Sequence, residues 1–343
     1  MERDWGRLDE DDVRVRPGRG SRPRTRRRPA HEDAIVGFVI AVDRGRYTCL
    51  IGAEGAGRAA KRKGERPRRV TAMRARELGR KSVVVGDRVR LVGDVSGRAD
   101  TLARVVGIEP RASTLRRTAD DTDPVERVIV ANANQLVVVT ALADPPPRSG
   151  MIDRCLVAAY DAGLDPLLCL TKSDLASPEP LLETYAPLDV PYVVTRKDEP
   201  VDDLGERLSG RISVLVGHSG VGKSTLVNAL VPDAERAVSE VNPVTGRGRH
   251  TSSSAIALEL PSGDGWIIDT PGVRSFGLAH VSPEDILGAF PDLLEGTVEC
   301  PPHCTHLQSD CALDAWVAAG HASVGRLESV RRLLAGRESD DTD

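Results

Sequence analysis

Gly217-His218-Ser219-Gly220-Val221-Gly222-Lys223-Ser224 fits the spacing G-x-x-x-x-G-K-S/T, with Thr225 next in line. Glycines at these positions let backbone N–H groups wrap phosphates, and the start of the following helix favours negative charge. In such a loop Lys223 bridges the β- and γ-phosphates, and Ser224 places its hydroxyl on Mg²⁺. Asp269-Thr270-Pro271-Gly272 ends a short apolar run, Trp266–Asp269. An Asp at such a strand end holds Mg²⁺ through water, and the Gly272 N–H senses the γ-phosphate. Between the two motifs Gly246–Ser253 reads GRGRHTSS, a glycine-rich stretch with the look of a switch loop. Thr251 is the candidate for a second hydroxyl on Mg²⁺, with Ser252 and Ser253 as alternatives.

Thr171-Lys172-Ser173-Asp174 resembles the guanine-reading pattern N-K-x-D. The Asp174 carboxylate accepts from guanine N1–H and its exocyclic amine, which adenine does not offer, so the nucleotide is GTP. Lys172 lies across base and ribose. Thr171 stands where Asn is usual, which predicts the loss of one neighbour-stabilising amide. Val194-Thr195-Arg196 is a candidate for a further nucleotide loop. The base motif precedes the phosphate motif, the reverse of the ordinary order. A circular permutation explains this, because relocating the chain ends leaves the sheet and its site intact.

Cys300, Cys304, His306 and Cys311 give C-x3-C-x-H-x4-C. Three thiolates and an imidazole suit tetrahedral Zn²⁺ with no open position, hence one structural ion. His303 is an alternative to His306. Cys49, Cys155 and Cys169 sit in apolar neighbourhoods and read as reduced core residues.

Runs of alternating or continuous apolar residues supply the elements that position these groups. Ile35–Asp43, Tyr47–Ile51, Arg68–Met73, Arg88–Val92 and Asp100–Ile108 read as short strands, enough for an OB-fold or an SH3-like barrel. From about Val128 strands alternate with helices: Gln135–Thr140, Met151–Ala162, Pro166–Leu170, Tyr192–Thr195, Val201–Leu208 and Ile212–Val216 predict a helix-covered parallel sheet. After Gly277 the text is helical to about Leu334, including Ala312–Ala319 and Ser323–Leu334. Arg326, Arg331 and Arg332 give the last helix either a basic face for rRNA or a solvated one.

The chain is multidomain on this reading. Residues 1–33 form a charged, disordered tail and 34–112 an OB-fold RNA-binding barrel. Residues 113–280 form a circularly permuted α/β P-loop GTPase domain, and 281–343 a small helical zinc-binding domain. The formal charge of −4, from 47 basic and 51 acidic residues, disfavours RNA only as an average. Residues 58–81 hold eleven basic and two acidic residues, and a run near +9 binds phosphate backbones by counterion release. Aromatics make up only 3%, which excludes a broad base-stacking platform. No apolar stretch approaches the ~20 residues that span a bilayer, and the acidic start lacks a signal core. The expectation is a cytoplasmic, membrane-free protein, monomeric because no heptads occur.

A small β-barrel, a permuted GTPase and a C-terminal Cys/His domain together resemble the ribosome small-subunit-dependent GTPase A family. The resemblance covers roughly residues 34–335 and includes Arg111-Ala-Ser-Thr-Leu-Arg-Arg, Asp153-Arg154 and GHSGVGKST. It implies GTP hydrolysis stimulated by the 30S subunit, contact with 16S rRNA, and a role in late 30S maturation. The family pattern has C-x4-C-x-H-x5-C, so both outer zinc spacings are one residue short here. Many GTPases carry a water-orienting Gln just after D-x-x-G; here Val273 occupies that place. His250 is the polar substitute, a choice to which the resemblance also points, with Arg247 or Arg249 near transition-state charge. The other reading of His250 is an RNA or structural contact. Competing functions are a nucleotide-gated RNA-binding module without turnover and a P-loop kinase of small molecules.

Overall fold

The computed structural model describes residues 31–43, 45–52, 67–78, 83–98, 100–120, 123–232, 234, 255–270, 278 and 281–336. The expected tail 1–30, the middle of the basic loop, and the switch candidates His250, Thr251, Ser252, Ser253, Gly272 and Val273 lie outside these residues.

Five strands build the first unit: β1 Ile35–Asp43, β2 Arg46–Ile51, β3 Arg68–Arg74, β4 Arg88–Gly93 and β5 Ala103–Ile108. They pair β1–β2–β3–β5–β4, and β4 returns to β1, which closes the barrel. Parallel pairing of β3 with β5 is the exception in an otherwise antiparallel barrel. β1 is apolar on both faces for a reason. Val39 points into the barrel core, while Phe38 and Ile40 join the core of the next unit, Phe38 against Trp266 with ring centroids 5.2 Å apart. Alternation along a strand sends neighbours to opposite faces, so a strand between two cores has no polar side.

A hairpin that the sequence reading missed, β6 Thr114–Asp120 and β7 Asp123–Ala131, leads into the second unit. Its sheet runs β10–β9–β8–β11–β13–β12, with β8 Gln135–Ala141, β9 Asp165–Thr171, β10 Tyr192–Val194, β11 Ile212–Val216, β12 Ile256–Glu259 and β13 Trp266–Asp269. All neighbours are parallel except β12, which runs antiparallel to β13 and to barrel strand β1. One sheet thus continues from the barrel into the second unit. Helix α1, Ser149–Asp161, covers one face with Ile152, Leu156 and Ala159 over Leu136, Val138 and Leu168. The other face, Val137, Val139, Leu215 and Ile267, is covered by Leu204 and Leu208 of α3 (Asp202–Leu208) and by Leu226, Val227 and Leu230 of α4 (Lys223–Leu230). Between β9 and β10 lie α2 (Glu179–Tyr185) and a 3₁₀ turn, Ala186–Leu188. Cys49, Cys155 and Cys169 are buried, as expected, and burial pushes the Cys49 and Cys169 thiols up to about 12.

The C-terminal unit comprises α5 Pro283–Leu287, α6 Pro291–Leu294, α7 Ala312–Ala318 and α8 Val324–Gly336. Ser282 and Asp285 form a reciprocal capping box that starts α5. No described helix is long and apolar enough to cross a membrane.

Candidate functional site

Ligands of parallel sheets bind outside the carboxyl ends of the strands, and the predicted groups converge there. The loop Gly217–Gly222 joins β11 to α4. Its glycines answer local demands: a Cβ on Gly217 would lie 2.5 Å from the Val139 carbonyl, while Gly220 and Gly222 adopt φ of +85° and +92°. Such conformations are costly for other residues. Val221 is buried, the His218 ring nitrogen Nδ1 lies 2.9 Å from the Ser219 carbonyl, and Ser219, Gly220, Ser224 and Thr225 are exposed. On neighbouring β13, the Asp269 carboxylate pairs with the Lys223 ammonium, which also lies 3.4 Å from the Thr270 carbonyl. Thr270 is fixed by donating to the Leu215 carbonyl of β11 at 3.0 Å.

Thr171 ends β9 and is buried. Its hydroxyl donates to the Val221 carbonyl at 2.6 Å. The lost amide is therefore replaced: a hydroxyl on the shorter side chain binds the base loop to the P-loop. Lys172 follows with φ of 59°, and Ser173 is fixed by its N–H to the Thr195 carbonyl at 3.3 Å. Asp174 is exposed, free to face a ligand. Thr195, buried directly after β10, thus lies beside the Thr171–Asp174 loop.

One participant escaped the sequence reading. β8 lies between β9 and β11, so its following loop sits between base and phosphate motifs. There the Asp144 carbonyl accepts from the Lys172 ammonium, and Pro145 Cδ stands 3.5 Å from the place of a Gly220 Cβ. The Leu142 N–H donates to the Thr171 carbonyl at 2.9 Å. The run Asp144-Pro145-Pro146-Pro147 after a fully buried strand was the available signal. A cleft of about 500 Å³ lined by Gln135, Asp165, Arg207 and Arg211 opens at the opposite, amino ends of the strands, away from these groups.

The ligating atoms of Cys300, Cys304, His306 and Cys311 all lie within 4.8 Å of one another. Cys300 Sγ and Cys311 Sγ are 3.8 Å apart, and each is 3.6 Å from His306 Nδ1. Zinc–sulfur bonds of about 2.3 Å and a zinc–nitrogen bond of about 2.0 Å at tetrahedral angles give edges of about 3.8 and 3.5 Å. The donor set thus fits a zinc ion despite the shortened spacings. His306, buried with φ of 60°, belongs to the cluster, whereas His303 is exposed. Burial holds the His306 ring below its ordinary value, which favours the neutral form that ligates metals.

The last helix departs from both readings of its arginines. Arg326 donates to the Pro187 carbonyl and the Asp189 carboxylate, each at 2.9 Å. Arg331 forks onto Asp314 at 2.8 and 2.7 Å, and Arg332 donates to Asp153 of α1 at 2.9 Å. Arg326 and Arg332 thus fasten α8 to the GTPase unit, and Arg331 fastens it within its own.

A parallel sheet that carries a P-loop, an Asp at the adjoining strand end and a base loop placed earlier in the chain defines a circularly permuted GTPase. The RsgA GTPase model matches residues 108–279, and the chain belongs to that family. It is 37% identical over 267 residues to "Small ribosomal subunit biogenesis GTPase RsgA" of Chlorobaculum parvum, covering 75% of this chain and 86% of that one. A relative of the same name from Ectopseudomonas mendocina is 38% identical over 247 residues, 69% of this chain and 71% of that one. Among solved structures, YjeQ from Thermotoga maritima superposes with a TM-score of 0.62 at 24% identity, covering 89% of this chain and 98% of its own. YloQ, a circularly permuted GTPase, gives 0.61 at 21% identity, covering 91% and 98%. These two likenesses bear on the fold.

Proposed function

We propose that this protein hydrolyses GTP in the biogenesis of the small ribosomal subunit. The carrying observation is the bond from Thr171 to Val221, which joins a guanine-type loop to a P-loop in a chain of the RsgA family. In this reading Gly217–Thr225 holds the phosphates, with Lys223 on the β- and γ-oxygens. Thr171, Lys172, Ser173 and Asp174 hold the base. Ser224 and Asp269, with Thr251, hold Mg²⁺, which when bound neutralises charge on the transferred phosphoryl group. Gly272 reports the γ-phosphate. The Lys223–Asp269 pair supports this assignment, because it places the phosphate cation and a metal-ligand anion at one point of the sheet edge.

His250 orients the attacking water, in place of the Gln that Val273 cannot supply. His250→Ala then lowers kcat with little change in GTP Kd; the reverse pattern removes His250 from the chemistry. Cys300, Cys304, His306 and Cys311 hold one zinc ion with a structural role. The barrel binds 16S rRNA through its basic residues, of which Arg69, Arg74 and Arg76 are described and exposed. The protein is cytoplasmic and monomeric, and its partners are the 30S subunit and GTP or GDP. GTP and ATP turnover with and without purified 30S subunits tests the whole reading. Stimulation of GTP turnover alone is expected. Binding without stimulation favours a gated RNA-binding module, and ATP preference a kinase.

A further inference from the structure

The C-terminal unit reaches the nucleotide site through α1 and the loop that precedes it. Its helix α8 carries Arg331 and Arg332 on adjacent positions, turned to different partners. Arg331 Nε donates to the His306 carbonyl at 2.9 Å and its fork grips Asp314, so α8 is fixed to the Cys/His cluster. Arg332 Nε donates to Asp153 Oδ2 at 2.9 Å, and its guanidinium lies over the Tyr185 ring, 5.2 Å from the centroid. Asp153 is 3% exposed and sits in the first half of α1. Tyr185 donates in turn to the Ser149 carbonyl at the first residue of α1, at 3.2 Å. Directly before Ser149 runs the loop whose Asp144 carbonyl holds the Lys172 ammonium and whose Pro145 abuts Gly220.

The pair is unusually incomplete for its burial. Among the described residues, Asp153 Oδ1 and Arg332 Nη2 are both buried without a hydrogen-bond partner. A guanidinium and a carboxylate side by side ordinarily make two parallel bonds; here one is made. Breaking that bond strands a buried carboxylate. A buried joint between two packed helices passes on displacement where a solvated pair does not.

We infer that Asp153 and Arg332 are positioning residues for nucleotide retention: through α1 they set the Asp144–Pro145 loop against the base and phosphate loops, so that the C-terminal unit governs GDP release. This rests on the nucleotide-site reading above. Whatever binds the C-terminal unit then alters GDP affinity, and GDP alters the affinity of that partner by the same factor.

The test is the rate of release of a fluorescent GDP analogue from the full-length, zinc-loaded protein. Wild type, Arg332→Met, Arg332→Lys and Asp153→Asn are compared at a temperature well below each melting midpoint. Arg332→Met and Asp153→Asn are expected to release the analogue about tenfold faster, a common size for coupling between sites. Arg332→Lys, which keeps the cation, is expected in between, and the double variant should equal the singles instead of multiplying them. Zinc content stays at wild-type level throughout. Lower melting midpoints with release rates within about twofold of wild type mean that the pair only stabilises, and overturn the inference. Should Asp153→Asn fail to fold, the Arg332→Met and Arg332→Lys rates decide alone. A wild-type protein that binds no GDP analogue fails the nucleotide-site reading instead, and Lys223→Ala marks that baseline.

Discussion

Thr171 has a single hydroxyl proton, and in this structure it bridges the base loop and the P-loop. Thr171→Val keeps the shape and leaves the Val221 carbonyl without its donor, a buried loss of about 1–3 kcal/mol. GTP and GDP Kd are expected to rise roughly tenfold, about 1.4 kcal/mol of that loss appearing in binding. With Asp174 assigned to the base as proposed, preference over ATP should persist. Titration with fluorescent nucleotides checks this, with Thr171→Ser as the variant that restores binding; unchanged affinity in Thr171→Val removes the bridge from the site. Asp153 allows a prediction in pH. Burial raises its carboxyl above the ordinary range, and the charge and hydrogen bond of Arg332 work against that rise. In Arg332→Met the folded-state value therefore climbs further. A carboxyl raised on folding favours the native state below its unfolded value and loses that contribution as pH rises through the folded value. The melting deficit of Arg332→Met against wild type is expected to be greatest near neutral pH and to shrink towards about pH 5. A deficit independent of pH from thermal melts assigns the loss to the Tyr185 stacking instead.

At the scale of elements, the Cys/His loop brings four candidate metal ligands together in a unit that has no strand among its described residues. Cys304 and Cys311 belong to the same buried cluster as Leu313, Leu327 and Leu334, so the ligands are part of the core they organise. Removing zinc by chelation is expected to expose α7 and α8 to protease before the sheet opens. Limited proteolysis followed by mass spectrometry checks this, and a cleavage pattern unchanged by chelation shows that the unit holds without metal. The Cys/His cluster was legible in the sequence because its four residues lie within twelve positions. The same holds for β1 and the P-loop, whose glycines announce the turn they must make. Arg332 was not legible: a helix pattern places its face but does not name Asp153, 179 positions earlier. The β6–β7 hairpin was missed for another reason. Arg116, Arg117, Asp120 and Asp123 interrupt its apolar pattern, and only the antiparallel backbone pairing of the two strands defines it.

Across the whole molecule, the barrel and the GTPase unit share more than a linker. β12, which follows the segment bearing Gly246–Ser253, pairs with β13 on one side and with barrel strand β1 on the other. The neighbouring joint is polar. Asp87, fully buried, accepts from Arg111 Nε at 2.7 Å and Nη2 at 2.9 Å and from the Val84 N–H at 2.8 Å. Asn132 adds bonds to Ala112 N–H and the Gly86 carbonyl. Gly86 is obligatory here, since φ is +90° and a Cβ would collide with the Ala131 carbonyl. The strand that follows residues 246–253 in the chain is thus shared between the two units through backbone hydrogen bonds. Arg111→Met leaves a buried carboxylate without its cation, a loss of roughly 3 kcal/mol. The expected outcome is a melting midpoint lower by at least about 5 °C and a single calorimetric transition that splits in two as the units uncouple. GDP affinity at low temperature should stay near wild type, because the carboxyl edge of the sheet is untouched. Arg111→Lys should recover part of the midpoint, and a wild-type melt in Arg111→Met shows that the joint holds without the Arg111–Asp87 pair.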